Sequence, residues 1–187
     1  MMRPPCTLPS GSNGEKMVPM THADAVRLFV AVWLPADLGD SLAALARPDE
    51  PGVRWVPREN LHVTLRFLGQ ARPADVADRL AAVVFSPATA TLGPAVSRMG
   101  HDLVVVPVTG LEQLAAVVHD ATQGIGRPDS RRFHGHVTLA RLRHRAACGV
   151  TGTRVDARFA VTDVALVRSR TLPTGAVYET VSTFALG

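Results

Sequence analysis

The chain has 187 residues, of which 47% are hydrophobic, so it is long enough for one domain with a buried core. Its formal net charge is +4 and its sequence pI is near 10.0, which makes an anionic partner plausible. No apolar run reaches the length of a membrane span, and the start of the chain lacks the apolar core of a signal peptide. The two cysteines fit neither a disulfide framework nor a zinc site, so we expect a cytoplasmic protein.

Along the chain, strand patterns outnumber helical ones. Residues Met1 to Met20 are rich in Pro, Gly, Ser and Asn, which predicts a flexible leader before one domain over residues 21–187. Short connections between strands favour an α+β fold with mainly antiparallel sheets. We predict strands over Arg27–Trp33, Val53–Val56, Leu61–Leu68, Thr89–Arg98, Leu103–Val108, His136–Leu142, Arg154–Phe159, Asp163–Arg168 and Val177–Leu186, and helices over Pro35–Ala46, from Pro73 onward, and over Leu111–Thr122.

The tetrapeptide His-Val-Thr-Leu occurs twice, at His62–Leu65 and at His136–Leu139, and each copy begins a predicted strand. Residues i and i+2 of a strand point to the same face. The histidine and threonine of each copy therefore share one face, while the valine and leucine share the other. Two such strands side by side would surround one phosphate with two imidazoles and two hydroxyls.

These residue types suit acid–base chemistry on a phosphoester without a metal. Two histidines with ordinary pKa values near 6.5 can serve at neutral pH as one base and one acid. Threonine hydroxyls can hydrogen-bond the non-bridging oxygens, whose charge must be stabilised in the transition state. Other sites fit less well, because the chain has no paired zinc ligands, no Gly-x-Ser-x-Gly elbow and no phosphate-binding Gly-x-x-x-x-Gly-Lys loop. We predict that His62 and His136 are catalytic, that Thr64 and Thr138 bind phosphate, and that no metal or other cofactor takes part.

Four segments, at residues 27–35, 53–69, 133–141 and 166–169, resemble the two-histidine (2H) phosphoesterases. The most similar branch is the RNA 2',3'-cyclic phosphodiesterases, also called 2'-5' RNA ligase-like proteins. This resemblance implies a bilobal α+β fold, in which two mainly antiparallel sheets related by a pseudo-twofold form a central cleft with helices outside. It also implies metal-independent hydrolysis of RNA 2',3'-cyclic phosphate ends to 2'-phosphates. By the same resemblance, His62 is the acid for the 3' leaving oxygen and His136 is the base for water.

Three further residues are candidates for contacts with the substrate: Arg66, Arg141 and Tyr178. In a regular strand Arg66 shares the face of His62, whereas Arg141 reaches the face of His136 only if a bulge re-aims it. Tyr178 is a candidate for stacking on a base, while Trp33 and Phe67 are expected to fill the core.

The sequence leaves alternative functions open. The substrate could be another cyclic or 2'-5'-linked nucleotide, or the cleft could belong to a non-catalytic RNA-binding module. We expect RNA or nucleotides as partners, with no membrane, and a monomeric protein.

Overall fold

The computed structural model describes residues 24–45, 47–128, 132–143, 146–173 and 175–187, which form an α+β fold. The predicted leader, Met1 to Met20, lies outside the described residues. No helix within these ranges is long and apolar enough to cross a membrane. The strands are β1 (Val26–Trp33), β2 (Val53–Trp55), β3 (His62–Ala71), β4 (Ala88–Leu92), β5 (Ser97–Met99), β6 (Leu103–Thr109), β7 (His136–Leu142), β8 (Ala157–Val161), β9 (Asp163–Leu172) and β10 (Gly175–Ala185). The helices are α1 (Ala36–Ala43), α2 (Pro73–Ala81) and α3 (Glu112–Ala121), and a 3-10 turn covers Arg58–Asn60.

The strands form one curled sheet in the order β10-β9-β1-β3-β7-β6-β4-β8, with β2 beside β7 and β5 beside β6. All of these pairings are antiparallel. Strands β3 and β7 share a single register pair, Val63 with Val137, so the two halves of the sheet join at a narrow waist. The predicted class is confirmed. The two sheets expected from the resemblance are joined through the strands that carry the repeated tetrapeptide.

The helices cover one face of this sheet, and the main core lies between the helices and the sheet. Val63 and Val137 are fully buried on this face. Helix α2 contributes Val76 and Leu80, and α3 contributes Leu114, Ala115 and Val118. Pro73 is the first residue of α2. A backbone N–H at this position has no hydrogen-bond partner within the helix, so proline costs the helix no hydrogen bond there.

The other face of the sheet carries a second, smaller apolar cluster. It is built from alternate residues of β1 and β9, because side chains alternate between the faces of a strand. Phe29, Ala31, Ala165 and Val167 are its buried members. Trp33, Phe67 and Tyr178 pack against them while remaining partly exposed.

The predicted helices are confirmed with shorter ends, but one predicted strand is wrong. The segment Thr89–Arg98 forms most of β4, an irregular stretch with an isolated bridge at Ala95, and the start of β5 instead of one strand. Gly93 ends the pairing with φ of 129°, and a side chain there would collide with the carbonyl oxygen of Val155. Because the break depends on contact with a segment distant in sequence, the local strand pattern did not reveal it. The strand predicted over Arg154–Phe159 is shifted to Ala157–Val161.

Candidate active site

The pairing of Val63 with Val137 places both His-Val-Thr-Leu copies on the same face of the sheet. Residues opposite each other in an antiparallel pair project to the same side. Since both valines are buried on the helix-covered face, the histidine and threonine of each copy project from the opposite one. All four of these side chains are partly buried: His62, Thr64, His136 and Thr138.

Both histidine rings are oriented by the same backbone contact. His62 Nδ1 lies 2.7 Å from the carbonyl oxygen of Asn60, and His136 Nδ1 lies 2.7 Å from that of His134. A carbonyl oxygen only accepts hydrogen bonds, so each Nδ1 carries the proton and donates it. Each Nε2 is therefore the nitrogen that can take up or release a proton. The Oγ1 of Thr64 lies 3.1 Å from Nε2 of His62 and can donate a hydrogen bond to it while the ring is neutral.

A register shift in both motif strands changes the faces of the residues that follow. In the pairing of β3 with β1, Leu65 is skipped between Thr64 and Arg66. In the pairing of β7 with β6, Leu139 is skipped between Thr138 and Ala140. The extra residue is thus the leucine of each tetrapeptide. Such a bulge places two residues opposite one and reverses the alternation beyond it.

The first bulge turns Arg66 to the helix-covered face of the sheet, so the predicted face of Arg66 is wrong. Arg66 pairs with Val30, whose side chain lies in the main core, and Arg66 is 5% exposed. Its Nη1 donates to the carbonyl oxygen of His119 at 2.7 Å and to Oγ1 of Thr122 at 2.6 Å. These contacts attach β3 to the end of α3. Phe67, expected on the core face, instead lies on the face that carries His62.

The second bulge has the opposite effect on Arg141, which it brings to the candidate site. Ala140 joins Leu139 in the core, and Arg141 becomes an exposed residue on the next pleat. The bulge that Arg141 needs in order to reach the face of His136 is therefore present. Its positive charge is one of the influences that lower the pKa of His62. The same place in the two motifs, five residues after the histidine, thus holds Phe67 in one half and Arg141 in the other.

Three aromatic rings surround His62. Phe29 lies 4.9 Å from it between ring centroids, Tyr178 lies 5.3 Å away edge-on, and Trp33 lies 5.5 Å away. Tyr178 also contacts Phe29 at 5.0 Å, and Trp33 Nε1 donates to Oγ1 of Thr180 at 3.1 Å. We call Phe29, Trp33 and Tyr178 the aromatic box. Trp33, expected to fill the core, lies against this histidine instead. Tyr178 lies against it as well, and stacking of Tyr178 on a base stays a prediction.

The aromatic box makes His62 chemically distinctive. Burial, the largest influence, lowers the pKa of His62 to about 4, although the hydrogen bond to Asn60 raises it. The charges of His136 and Arg141 lower it further. His62 is therefore neutral at pH 7, and its Nε2 is an acceptor.

Asn60 was not identified from the sequence, yet it contacts both His62 and a distant hairpin. Its carbonyl oxygen orients His62, and its side-chain amide donates to the carbonyl oxygen of Ala176 at 2.9 Å. Ala176 stands at the start of β10, two residues before Tyr178. The only available signal was its position two residues before the histidine, which did not indicate the contact with β10.

Beyond the pair of Val63 and Val137, a groove of about 520 Å³ separates β3 from the segment that leads into β7. Its lining includes Thr64, Arg66 and Phe67 of β3, Phe133 and His136 from the segment of β7, and His119 of α3. The groove thus opens directly from the candidate site. Among the described residues, no group of three or more His, Cys, Asp or Glu is arranged to hold a metal ion.

Comparisons with known proteins agree with this arrangement. The family model of the 2'-5' RNA ligase superfamily matches residues 34–172. An RNA 2',3'-cyclic phosphodiesterase of Archaeoglobus fulgidus is 32% identical over 64% of this chain and 74% of its own length. The Escherichia coli K12 protein of the same name is 36% identical over 62% of this chain and 71% of its own length.

A solved structure extends the likeness to the whole fold. The crystal structure of E. coli LigT complexed with 3'-AMP superposes with a TM-score of 0.73 at 30% identity. The superposition covers 87% of this chain and 98% of that one. The match to the family model spans both copies of the tetrapeptide and most of the sheet. The chain therefore belongs to the 2'-5' RNA ligase superfamily.

Proposed function

We propose that this protein is a cyclic phosphodiesterase that opens RNA 2',3'-cyclic phosphate ends to 2'-phosphates, with His62 and His136 as its proton donor and acceptor. The relatives named RNA 2',3'-cyclic phosphodiesterase support the reaction class. The observation that carries the proposal is the shared face of the two His-x-Thr pairs. Each histidine there donates its Nδ1 proton to a backbone carbonyl and keeps Nε2 for chemistry.

In the proposed reaction, water attacks phosphorus while the bond from phosphorus to O3' breaks. One histidine takes a proton from the water at its unprotonated Nε2, and the other gives its Nε2 proton to O3'. The hydroxyls of Thr64 and Thr138 donate hydrogen bonds to the non-bridging oxygens as charge develops on them. No step requires a metal ion. The product carries a 2'-phosphate and a free 3'-hydroxyl.

The family resemblance implies that His62 is the acid. Because the pKa of His62 is lowered, this role depends on uptake of a proton by His62. Because His62 is neutral at pH 7, it must take up a proton when the substrate binds. The negative charge of the phosphodiester favours this uptake, since an adjacent opposite charge stabilises the imidazolium. A histidine of low intrinsic pKa then readily gives its proton to the departing O3'.

Turnover of a nucleoside 2',3'-cyclic phosphate in the presence of EDTA tests the function. We expect a 2'-phosphate as the product. We also expect a loss of about 10²-fold or more for His62→Ala or His136→Ala, the usual size of an acid–base contribution. His101→Ala is the matched control, because His101 is exposed in a turn outside the site. Activity that survives both motif substitutions contradicts the proposal. Tight binding without any product identifies a non-catalytic RNA-binding module instead.

A sulfur substitution at the leaving group separates the roles of the two histidines. A substrate with sulfur in place of O3' releases a thiolate, which needs little protonation. With this substrate, the variant lacking the acid recovers most of its lost rate, while the variant lacking the base does not. Recovery in His62→Ala supports His62 as the acid, and recovery in His136→Ala reverses the assignment.

A further inference from the structure

Two arginines face each other across strands β2 and β7, beside the candidate active site. Arg54 of β2 is the register partner of Arg141 of β7, and both side chains are exposed. Val53 and Trp55, the neighbours of Arg54 in β2, pack against the main core. Because side chains alternate along a strand, Arg54 and its partner Arg141 project from the opposite face of the sheet, which is the face that carries both His-x-Thr pairs.

Strand β6 shows how Arg141 is spaced from the candidate active site. The register partners of His136, Thr138 and Arg141 are three alternate residues of β6, namely Pro107, Val105 and Leu103. Alternate residues of a strand share a face and lie about 6.5 Å apart. Arg141 therefore lies one such step beyond Thr138, on the side away from His136. Successive phosphates of an RNA strand have a similar spacing, so a ligand with one phosphate at Thr138 can place the next at Arg141.

The guanidinium of Arg54 lies close to the residues that position His62. A Cβ atom placed on Gly175, at the start of β10, would lie 2.8 Å from Nη2 of Arg54. The next residue, Ala176, accepts a hydrogen bond from the side-chain amide of Asn60, and the carbonyl oxygen of Asn60 orients His62. Arg54 therefore reaches along the exposed face to the hairpin beside His62.

The two opposed guanidinium groups suit one shared anion. Like charges directly opposite each other in a sheet are destabilising, and an anion between them offsets the repulsion. Each guanidinium presents a planar set of N–H donors that matches the oxygens of a phosphate. Among the described residues, no carboxylate forms an ion pair with Arg141. The positive charge of Arg141 is therefore available to a ligand.

We propose that Arg54 and Arg141 together bind the phosphodiester that joins the terminal nucleotide to the rest of the RNA. The proposal rests on the proposed function, since it places the cyclic phosphate between His62 and His136. The terminal nucleotide of an RNA carries this phosphodiester at its 5' oxygen, whereas a free nucleoside 2',3'-cyclic phosphate has a hydroxyl there. The two arginines therefore select RNA ends over free cyclic mononucleotides.

Three substrates that differ only at the 5' oxygen test this pair of arginines. They are uridine 2',3'-cyclic phosphate, the same nucleotide with a 5'-phosphate, and a uridine dinucleotide with a 2',3'-cyclic end. Arg54→Gln removes one guanidinium, and Arg54→Lys keeps the charge without the planar set of donors. Arg158→Gln is the matched control, because Arg158 is an exposed arginine on β8, at the edge of the sheet. For each protein, kcat/KM is measured on all three substrates, and thermal melting verifies that the variant is folded.

We expect the unaltered protein to prefer the dinucleotide over the 5'-hydroxyl nucleotide by about tenfold or more, the usual size of charged hydrogen bonds to a phosphate. Arg54→Gln should lose most of this preference, with the loss confined to the substrates that carry a phosphate at the 5' oxygen. Arg54→Lys should keep part of the preference, because it keeps the charge. Arg158→Gln should keep all of it.

A preference that is absent from the unaltered protein, or unchanged in Arg54→Gln, overturns the proposal, as does an equal loss in Arg158→Gln. An equal loss on all three substrates also overturns it, because it places Arg54 at the reacting phosphate. A preference for the 5'-phosphate alone, with the dinucleotide no better than the 5'-hydroxyl nucleotide, overturns the assignment to RNA. If the unaltered protein turns over none of the substrates, the proposed function fails, and calorimetry with the dinucleotide decides about the arginines alone. Weaker binding in Arg54→Gln then supports their role, and equal binding refutes it.

Discussion

The buried, neutral state of His62 predicts that this residue makes a pH-dependent contribution to stability. Its pKa is about 4 in the folded protein, against an ordinary value of 6.5 for the unfolded chain. The unfolded chain therefore binds the proton more readily. The stabilisation is complete above pH 6.5 and is lost as the pH falls from 6.5 towards 4. The full difference corresponds to about 3 kcal/mol, of which about 2 kcal/mol is lost by pH 5.

Urea unfolding at pH 7.5 and at pH 5.0 measures this effect. The variant His62→Gln cannot titrate, so its free energy of unfolding should fall between the two pH values by about 2 kcal/mol less than that of the unaltered protein. His101→Gln is the control, since His101 is exposed, and it should behave like the unaltered protein. Equal losses in the unaltered protein and in His62→Gln would refute the reasoning. An NMR titration of the His62 ring with a midpoint near 6.5 would refute it as well.

Three other substitutions have outcomes that the structure predicts. Tyr178→Ala should raise the pKa of His62 by admitting water, whereas Tyr178→Phe keeps the ring and should leave it unchanged; NMR titration of His62 distinguishes them. Thr64→Val or Thr138→Val should lower kcat by about 10²-fold with little change in folding, as measured by turnover and thermal melting. Arg66→Ala should lower the free energy of unfolding by about 2 kcal/mol, because it removes charged hydrogen bonds to α3, and an unchanged urea midpoint would contradict that role.

The two halves of the molecule repeat a plan but differ at the residues that set the chemistry. Both histidines donate to the carbonyl oxygen two residues earlier, and both motifs carry a bulge at their leucine. The aromatic box, however, surrounds only His62 among the described histidines. Burial in the aromatic box lowers the pKa of His62, so the two halves repeat a plan without giving their histidines the same surroundings.

Sequence reasoning located the elements best where the pattern is local. The strands that carry His62 and His136 were identified because alternation over a few residues shows which side chains share a face. It failed for Arg66 because a bulge interrupts that alternation, and nothing within β3 marks Leu65 as the extra residue. It also missed Asn60, whose partner Ala176 is more than 100 residues away in the chain.

The amino-acid sequence alone determined the candidate chemistry of this protein. Two histidines, each with a threonine two residues later on a strand, specify paired proton carriers and hydroxyls through the two-residue repeat of the strand. Only the tertiary structure decided how these groups differ. The aromatic box is assembled from β1 and β10, strands from opposite ends of the domain, and burial by such distant residues sets the pKa of His62. Pairing between distant strands is fixed by packing and register, which local periodicity does not contain.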